Sequence, residues 1–122
     1  MARHCILVVE DDDLLRDVVV EALEGTSYTV LWASNGPHAL EMIGAHDEID
    51  VVFSDVSMPQ GVSGIDLAFS VLERKPDIRF ILASGYSKSQ LPKMPAGVSF
   101  LPKPYRIVQL LELLKQPDAA AR

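Results

Sequence analysis

Four acidic residues in a row, Glu10-Asp11-Asp12-Asp13, follow directly on the apolar run Cys5–Val9. A further carboxylate, Asp55, follows the strand-like residues 51–54, Ser84 and Gly85 follow 78–83, and Lys103-Pro104 comes just after 98–101. Carboxylates crowded together repel one another, so either their pKa values rise or a cation neutralises them. An all-oxygen ligand set favours a hard ion, and a small site that keeps several waters suits Mg²⁺ better than Ca²⁺. A carboxylate beside a divalent cation and a lysine can attack a phosphoryl group and carry it as an acyl phosphate. In such a site Lys103 offsets charge on the transferring oxygens and the Ser84 hydroxyl donates to one of them. Singly, Asp55 and Ser84 read as turn residues and Lys103 as a solvated chain end. Their common position after apolar blocks favours the chemical reading. Asp12 and Asp13 are read as capping a helix and favouring its positive end.

The elements that must position these groups are legible as alternating blocks. Cys5–Val9 is continuously apolar and mostly β-branched, as a strand buried on both faces is. A helix is expected over Asp13–Glu24, with Leu15, Val18, Val19, Ala22 and Leu23 at helical spacing and Gly25 as its stop. Residues 28–33 form a second strand, and Asn35 with Pro37 opens a short helix that Gly44 closes. A third strand over 51–54 leads into the turn-rich residues 57–62. Ser63 or Gly64 then starts a helix with Ile65, Ala68, Phe69 and Leu72 on one face, ended by Pro76. Strands over 78–83 and 98–101 and a last helix over 105–115 complete the pattern. Between them, Pro92 and Pro95 restrict any helix within 87–97 to a short or irregular one. The result is α/β: a single (βα)5 unit, a doubly wound five-stranded parallel sheet with helices on both faces. Ligands bind such sheets at the carboxyl ends of the strands, where the polar groups above lie.

A chain of 122 residues is one domain by size, taken as 1–117 with a frayed tail at 118–122. A net charge of −6 argues against a nucleic-acid binder, which needs a basic stripe. The single cysteine excludes an internal disulfide framework and is read as core. No 18-residue apolar run suggests a membrane span, and no signal-peptide pattern opens the chain, so a cytoplasmic location is expected. The histidines at 4, 38 and 46 lack transition-metal spacing. Ile107, Val108, Leu110, Leu111, Leu113 and Leu114 make an apolar arc on the last helix, open to burial by neighbours or to a partner or second copy.

Four stretches carry a resemblance: Ile6-Leu7-Val8-Val9-Glu10-Asp11, Asp55-Val56-Ser57-Met58-Pro59, Ala83-Ser84-Gly85-Tyr86 and Phe100-Leu101-Pro102-Lys103-Pro104-Tyr105. In this order, on the expected strands, they resemble the receiver domains of two-component response regulators over residues 4–115. The resemblance implies that Asp55 is the phosphoacceptor and that Asp11, Asp55 and the Ser57 carbonyl ligate Mg²⁺, with Glu10 reaching it through water. It makes Lys103 the partner of the phosphoryl group, Ser84 the switch hydroxyl and Phe100 the switch aromatic, although Phe100 also reads as ordinary core. It ties Ser57 and Tyr86 to phosphoryl lifetime, and it implies a cis bond before Pro104. The donor would be a histidine kinase or histidine phosphotransfer protein. Such a domain catalyses its own phosphoryl transfer and dephosphorylation and is otherwise a signalling module, with its output in protein contacts. The loop from Met58 to Gly64 is one residue longer than the common form, and Gly85-Tyr86 sets a bulky ring beside the site.

Three other functions compete with this one. A phosphohydrolase of the haloacid-dehalogenase type places its nucleophile on the first strand and a second Asp two residues later, where this chain has Ser57. A flavodoxin-like or nucleotide-binding module needs a glycine-rich cradle where this chain has four acids. A receiver-shaped scaffold that never phosphorylates carries the same residues with faulty geometry. A stand-alone regulator, a phosphate sink and a receiver from a hybrid kinase all fit the sequence.

Overall fold

In a computed structural model, residues 4–57 and 62–116 are described. Five strands, β1 (Cys5–Val9), β2 (Thr29–Ala33), β3 (Val51–Asp55), β4 (Arg79–Ser84) and β5 (Ser99–Pro102), form one sheet in the order β2-β1-β3-β4-β5. Every pairing is parallel. The helices are α1 (Asp13–Glu24), α2 (Gly36–Ala45), α3 (Gly64–Arg74) and α4 (Ile107–Lys115). The expected (βα)5 pattern is therefore present with one reduction: between β4 and β5 the chain makes only a 3₁₀ turn, Lys88–Gln90. Pro92 and Pro95 follow it, and a proline removes the amide that a continuing helix would need.

Period-two alternation along the central strands builds two cores. Leu7, Val9, Val52, Phe80 and Leu82 face α2 and α3, whereas Ile6, Val8, Phe53, Ile81 and Ala83 face α1 and α4. β1 and β4 are buried throughout and β3 almost so, and β2 and β5 are the partly exposed edges. From β1 the chain crosses to β2 on one side, then returns to β3 on the other. The sheet thus reverses its winding between β1 and β3, and a crevice opens there at the carboxyl ends.

The helix caps explain the boundaries. Asp12 accepts the Leu15 amide at 3.1 Å and starts α1, and Asn35 accepts the His38 amide at 2.8 Å before α2. Ser63 and Asp66 exchange side-chain to backbone bonds in a capping box that starts α3. Several expectations are corrected. Gly44 does not close α2, which continues to Ala45 and is capped at His46. Glycine without a left-handed turn merely weakens a helix; it does not stop one. Phe69 is half exposed, because α3 turns Ile65, Leu67, Ala68 and Val71 to the sheet. On α1 the buried stripe is Arg16, Val19 and Leu23, with Val18 exposed. The last helix begins at Ile107 rather than 105, and the strands at 29, 79 and 99 each begin one residue later than expected, with β4 and β5 also ending one later. β3 includes Asp55 itself. Leu110 of α4 is fully buried and Ile107, Leu111, Leu113 and Leu114 pack on the same core, so most of its apolar arc is absorbed by the fold. Cys5 is a buried free thiol, as expected. Residues 58–61 of the expected long loop over 58–64, and the tail at 118–122, lie outside the described residues. No helix among the described residues is long and apolar enough to cross a membrane.

Candidate functional site

The crevice between β1 and β3 holds the carboxylates. Glu10 follows the last residue of β1 and is buried, Asp11 is exposed, and Asp55 ends β3 half-buried. One carboxylate oxygen from each of the three lies within 4.8 Å of the others. Lys103, just beyond β5, reaches across with its Nζ 3.0 Å from Asp55 Oδ2. Three carboxylates thus face a single ammonium.

The electrostatic cost falls on Glu10. Burial, the Asp55 charge and a bond with Asp11 push its carboxyl up to about 7, against the Asp12 amide and Lys103, which favour the ionised form. Its Oε2 accepts the Asp12 amide at 3.1 Å. Tyr105, beside the site, has its hydroxyl pushed up to about 12 by burial and by the charges of Glu10 and Asp55. Its ring stands edge-on to Phe53, 5.5 Å between centroids.

The backbone fixes Asp55 from several sides. Its Cα pairs with Ala83, and the next amide, Val56, donates to the Ala83 carbonyl at 2.9 Å. Gly64, the first residue of α3, packs its backbone on the Asp55 carbonyl so closely that a Cβ there would collide with it. On β4, Ser84 is 2 % exposed, and its Oγ accepts the Tyr86 amide at 3.0 Å. Its carbonyl accepts the Lys103 amide at 2.7 Å, tying the lysine's loop to β4. The Lys103-Pro104 bond is cis. Leu15, Gly85, Lys103, Pro104 and Tyr105 line an open depression of about 410 Å³ beside the ion pair.

Glu10, Asp11, Asp55 and Lys103 therefore converge as anticipated, with Ser84 on the neighbouring strand end. Asp12 and Asp13 lie outside the cluster: Asp12 caps α1, and Asp13 pairs with Arg16 at 2.7 Å. Ser57 is exposed just past β3, and the Tyr86 ring is turned out to solvent. Phe100 is partly buried on β5 beside Leu82, on the same sheet face as Ser84. The sequence reading passed over Arg16, a buried guanidinium behind the acidic turn. Its spacing from Val19 and Leu23, at i+3 and i+7, was the available signal that it lies on the buried stripe.

The sequence profile of the response regulator receiver domain matches residues 6–115. The chain belongs to this family. It is 39 % identical over 115 residues to the sensor kinase CckA of Brucella abortus, covering 91 % of this chain but 12 % of that kinase. Its fold matches the receiver domain of the hybrid histidine kinase CckA with a TM-score of 0.74 at 36 % identity, covering 92 % of this chain and 96 % of that one. It also matches the response regulator TrrA of Thermotoga maritima in complex with Mg²⁺ and BeF, with a TM-score of 0.81 at 32 % identity over 92 % and 96 % of the two chains. The protein is thus a receiver domain of two-component signalling, with the flavodoxin-like fold of that family.

Proposed function

We propose that this receiver, spanning residues 1–117, takes a phosphoryl group from the phosphorylated histidine of a histidine kinase or histidine phosphotransfer protein onto Asp55, with Mg²⁺ at the acidic cluster, and that phosphorylation resets a protein-interaction face. The carrying observation is the 3.0 Å Lys103–Asp55 ion pair set inside a cluster of three carboxylates.

The donor set suits Mg²⁺. It is all oxygen, it converges within 4.8 Å, and the Glu10 carboxyl is raised by burial first and by the neighbouring Asp55 charge next, against the opposing pull of the Asp12 amide and Lys103. Asp11, Asp55 and the Ser57 carbonyl would hold the ion, with Glu10 acting through water. When bound, Mg²⁺ neutralises charge on the transferring oxygens. The matching fold of TrrA, observed with Mg²⁺ and BeF, supports this assignment.

An Asp55 carboxylate oxygen attacks phosphorus, the P–N bond breaks, and the electron pair leaves with the imidazole, which is neutral once protonated. Lys103 is already beside the nucleophile and stabilises charge on the phosphoryl oxygens. The Ser84 hydroxyl, once turned from the Tyr86 amide, donates to another of those oxygens. That movement shifts residues 84–86, and Phe100 on the same sheet face changes its exposure, a population shift of one surface. Ser57, two residues past Asp55, and Tyr86, two past Ser84, are exposed and tune how readily water reaches the acyl phosphate and hence its lifetime. The free buried thiol of Cys5 suits a reducing, cytoplasmic setting.

Intact mass after incubation with acetyl phosphate and Mg²⁺ tests this directly. One phosphoryl gain is expected, absent in Asp55→Asn and in EDTA. No gain with either acetyl phosphate or a purified phosphohistidine donor would identify a non-phosphorylating scaffold.

A further inference from the structure

Arg16 is a buried cation that the phosphoryl-transfer chemistry leaves unused, and it lies behind the acidic turn. Its side chain is 9 % exposed, whereas its ion-pair partner Asp13 is 81 % exposed. A pair so open on one side contributes little, and does not by itself account for taking a guanidinium out of water. The remaining contacts give the reason. Nη1 donates to the Glu10 carbonyl at 3.1 Å, and the guanidinium carbon lies 4.3 Å from the centroid of the Trp32 ring. Trp32, on edge strand β2, is steadied in turn by an edge-on contact with His38, 6.0 Å between centroids.

The Glu10 carbonyl belongs to the peptide that joins Glu10 to Asp11. On its other side, the Glu10 amide donates to the Ala33 carbonyl of β2 at 3.1 Å. β2 therefore grips the acidic turn twice, once through backbone at Ala33 and once through the Trp32–Arg16 stack. We infer that Arg16, clamped on Trp32, is a positioning residue for the divalent-cation site: it fixes the Glu10–Asp11 peptide and so the placement of both carboxylates against Asp55. This rests on the assignment of the acidic cluster as a cation site. Lysine cannot substitute, because it offers neither the flat face that stacks on Trp32 nor a fork that spans the Glu10 carbonyl and Asp13.

Charge and position pull in opposite directions here, which makes the role measurable. A cation near the site repels Mg²⁺, so a purely electrostatic Arg16 would make Arg16→Met bind the ion more tightly. A positioning role makes Arg16→Lys, with charge retained, bind it more weakly. Calorimetric titration of the full chain with Mg²⁺ alone, without phosphodonor, separates the two. Arg16→Lys is expected to weaken Mg²⁺ binding on the order of tenfold, as loss of a residue that orients metal ligands does. Trp32→Leu is expected to weaken it less and to add nothing on top of Arg16→Lys, and it carries the test alone if Arg16→Lys fails to fold. Val18→Ala, at an exposed site on the same helix, leaves it unchanged. Wild-type affinity in Arg16→Lys and Trp32→Leu with only a lowered Tm would overturn the inference, as would tighter binding in Arg16→Met. A wild type that binds no Mg²⁺ would overturn the cation site itself and this inference with it.

Discussion

Where the chain leaves β1, each turn of backbone is tied. The Glu10 amide and carbonyl are bonded to Ala33 and Arg16, the Asp12 amide to Glu10 Oε2, and the Asp12 side chain to Leu15 at the start of α1. Where it leaves β4, the opposite holds. Residues 85–90 are all exposed, and the 3₁₀ turn is held by local bonds such as the Ser87 amide to Gln90 Oε1 at 2.9 Å. Both segments border the same site. The first sets carboxylates that lie within ångströms of one another, and the second carries the hydroxyl and surface that the proposed phosphorylation would move. Local stability is distributed accordingly, with few buried contacts in the part assigned to switching.

The largest effect expected from this contrast is at Asp55 itself. Asp55→Asn should abolish the phosphoryl gain, read by intact mass, and a residual gain would place the acceptor elsewhere. Lys103→Met comes next, slowing phosphorylation on the order of 10²–10³-fold, as removal of a preorganised charge at a transition state does. A loss under about threefold, measured from initial rates with acetyl phosphate, would show that the ion pair is only structural.

The tied side should also resist added volume. Gly64→Ala places a Cβ against the Asp55 carbonyl and the Leu82 side chain, and should cost roughly 2–3 kcal/mol in denaturant unfolding. A neutral result would mean that α3 can shift away from β3 without consequence.

Stability without divalent cation should depend on pH through Glu10. An unfolded chain releases this proton near 4.5, whereas the folded protein keeps it to about 7. Between those values the folded state binds more protons, so stability falls as pH rises from about 4.5 to about 7, by on the order of 1–3 kcal/mol. Added Mg²⁺ should offset the loss at neutral pH. Thermal unfolding at pH 5 and pH 7, with EDTA and with Mg²⁺, checks both signs, and Glu10→Gln should flatten the slope.

The smallest effect belongs to the loose side. Gln90→Ala removes exposed local bonds of the 3₁₀ turn and should change stability by no more than about 0.5 kcal/mol, with phosphorylation unaltered. A tenfold change in phosphorylation rate would show that this segment is coupled to the site in its resting state.

Much of this was readable in advance because buried parallel strands are written as largely apolar runs, and because Asp12, Asn35 and Ser63 are cap residues at helix starts. The polar residues after those runs had to gather at one edge of the sheet, so Glu10, Asp11, Asp55, Ser84 and Lys103 could be selected without coordinates. Gly44 and Phe69 misled for local reasons. A glycine stops a helix only when the chain turns there, and a large ring on an amphipathic helix need not lie on the stripe that meets the sheet.

Strand and helix order, and the chemical types that line the carboxyl edge, are written in the chain itself. Both follow from periodicity and side-chain chemistry, which act over a few residues. Spatial arrangement alone sets the 3.0 Å Lys103–Asp55 separation, the burial and charge that raise the Glu10 carboxyl, and the placement of Arg16 against Trp32. Those outcomes depend on which strands become neighbours, and burial and Coulomb energies are set by separations in space, not along the chain.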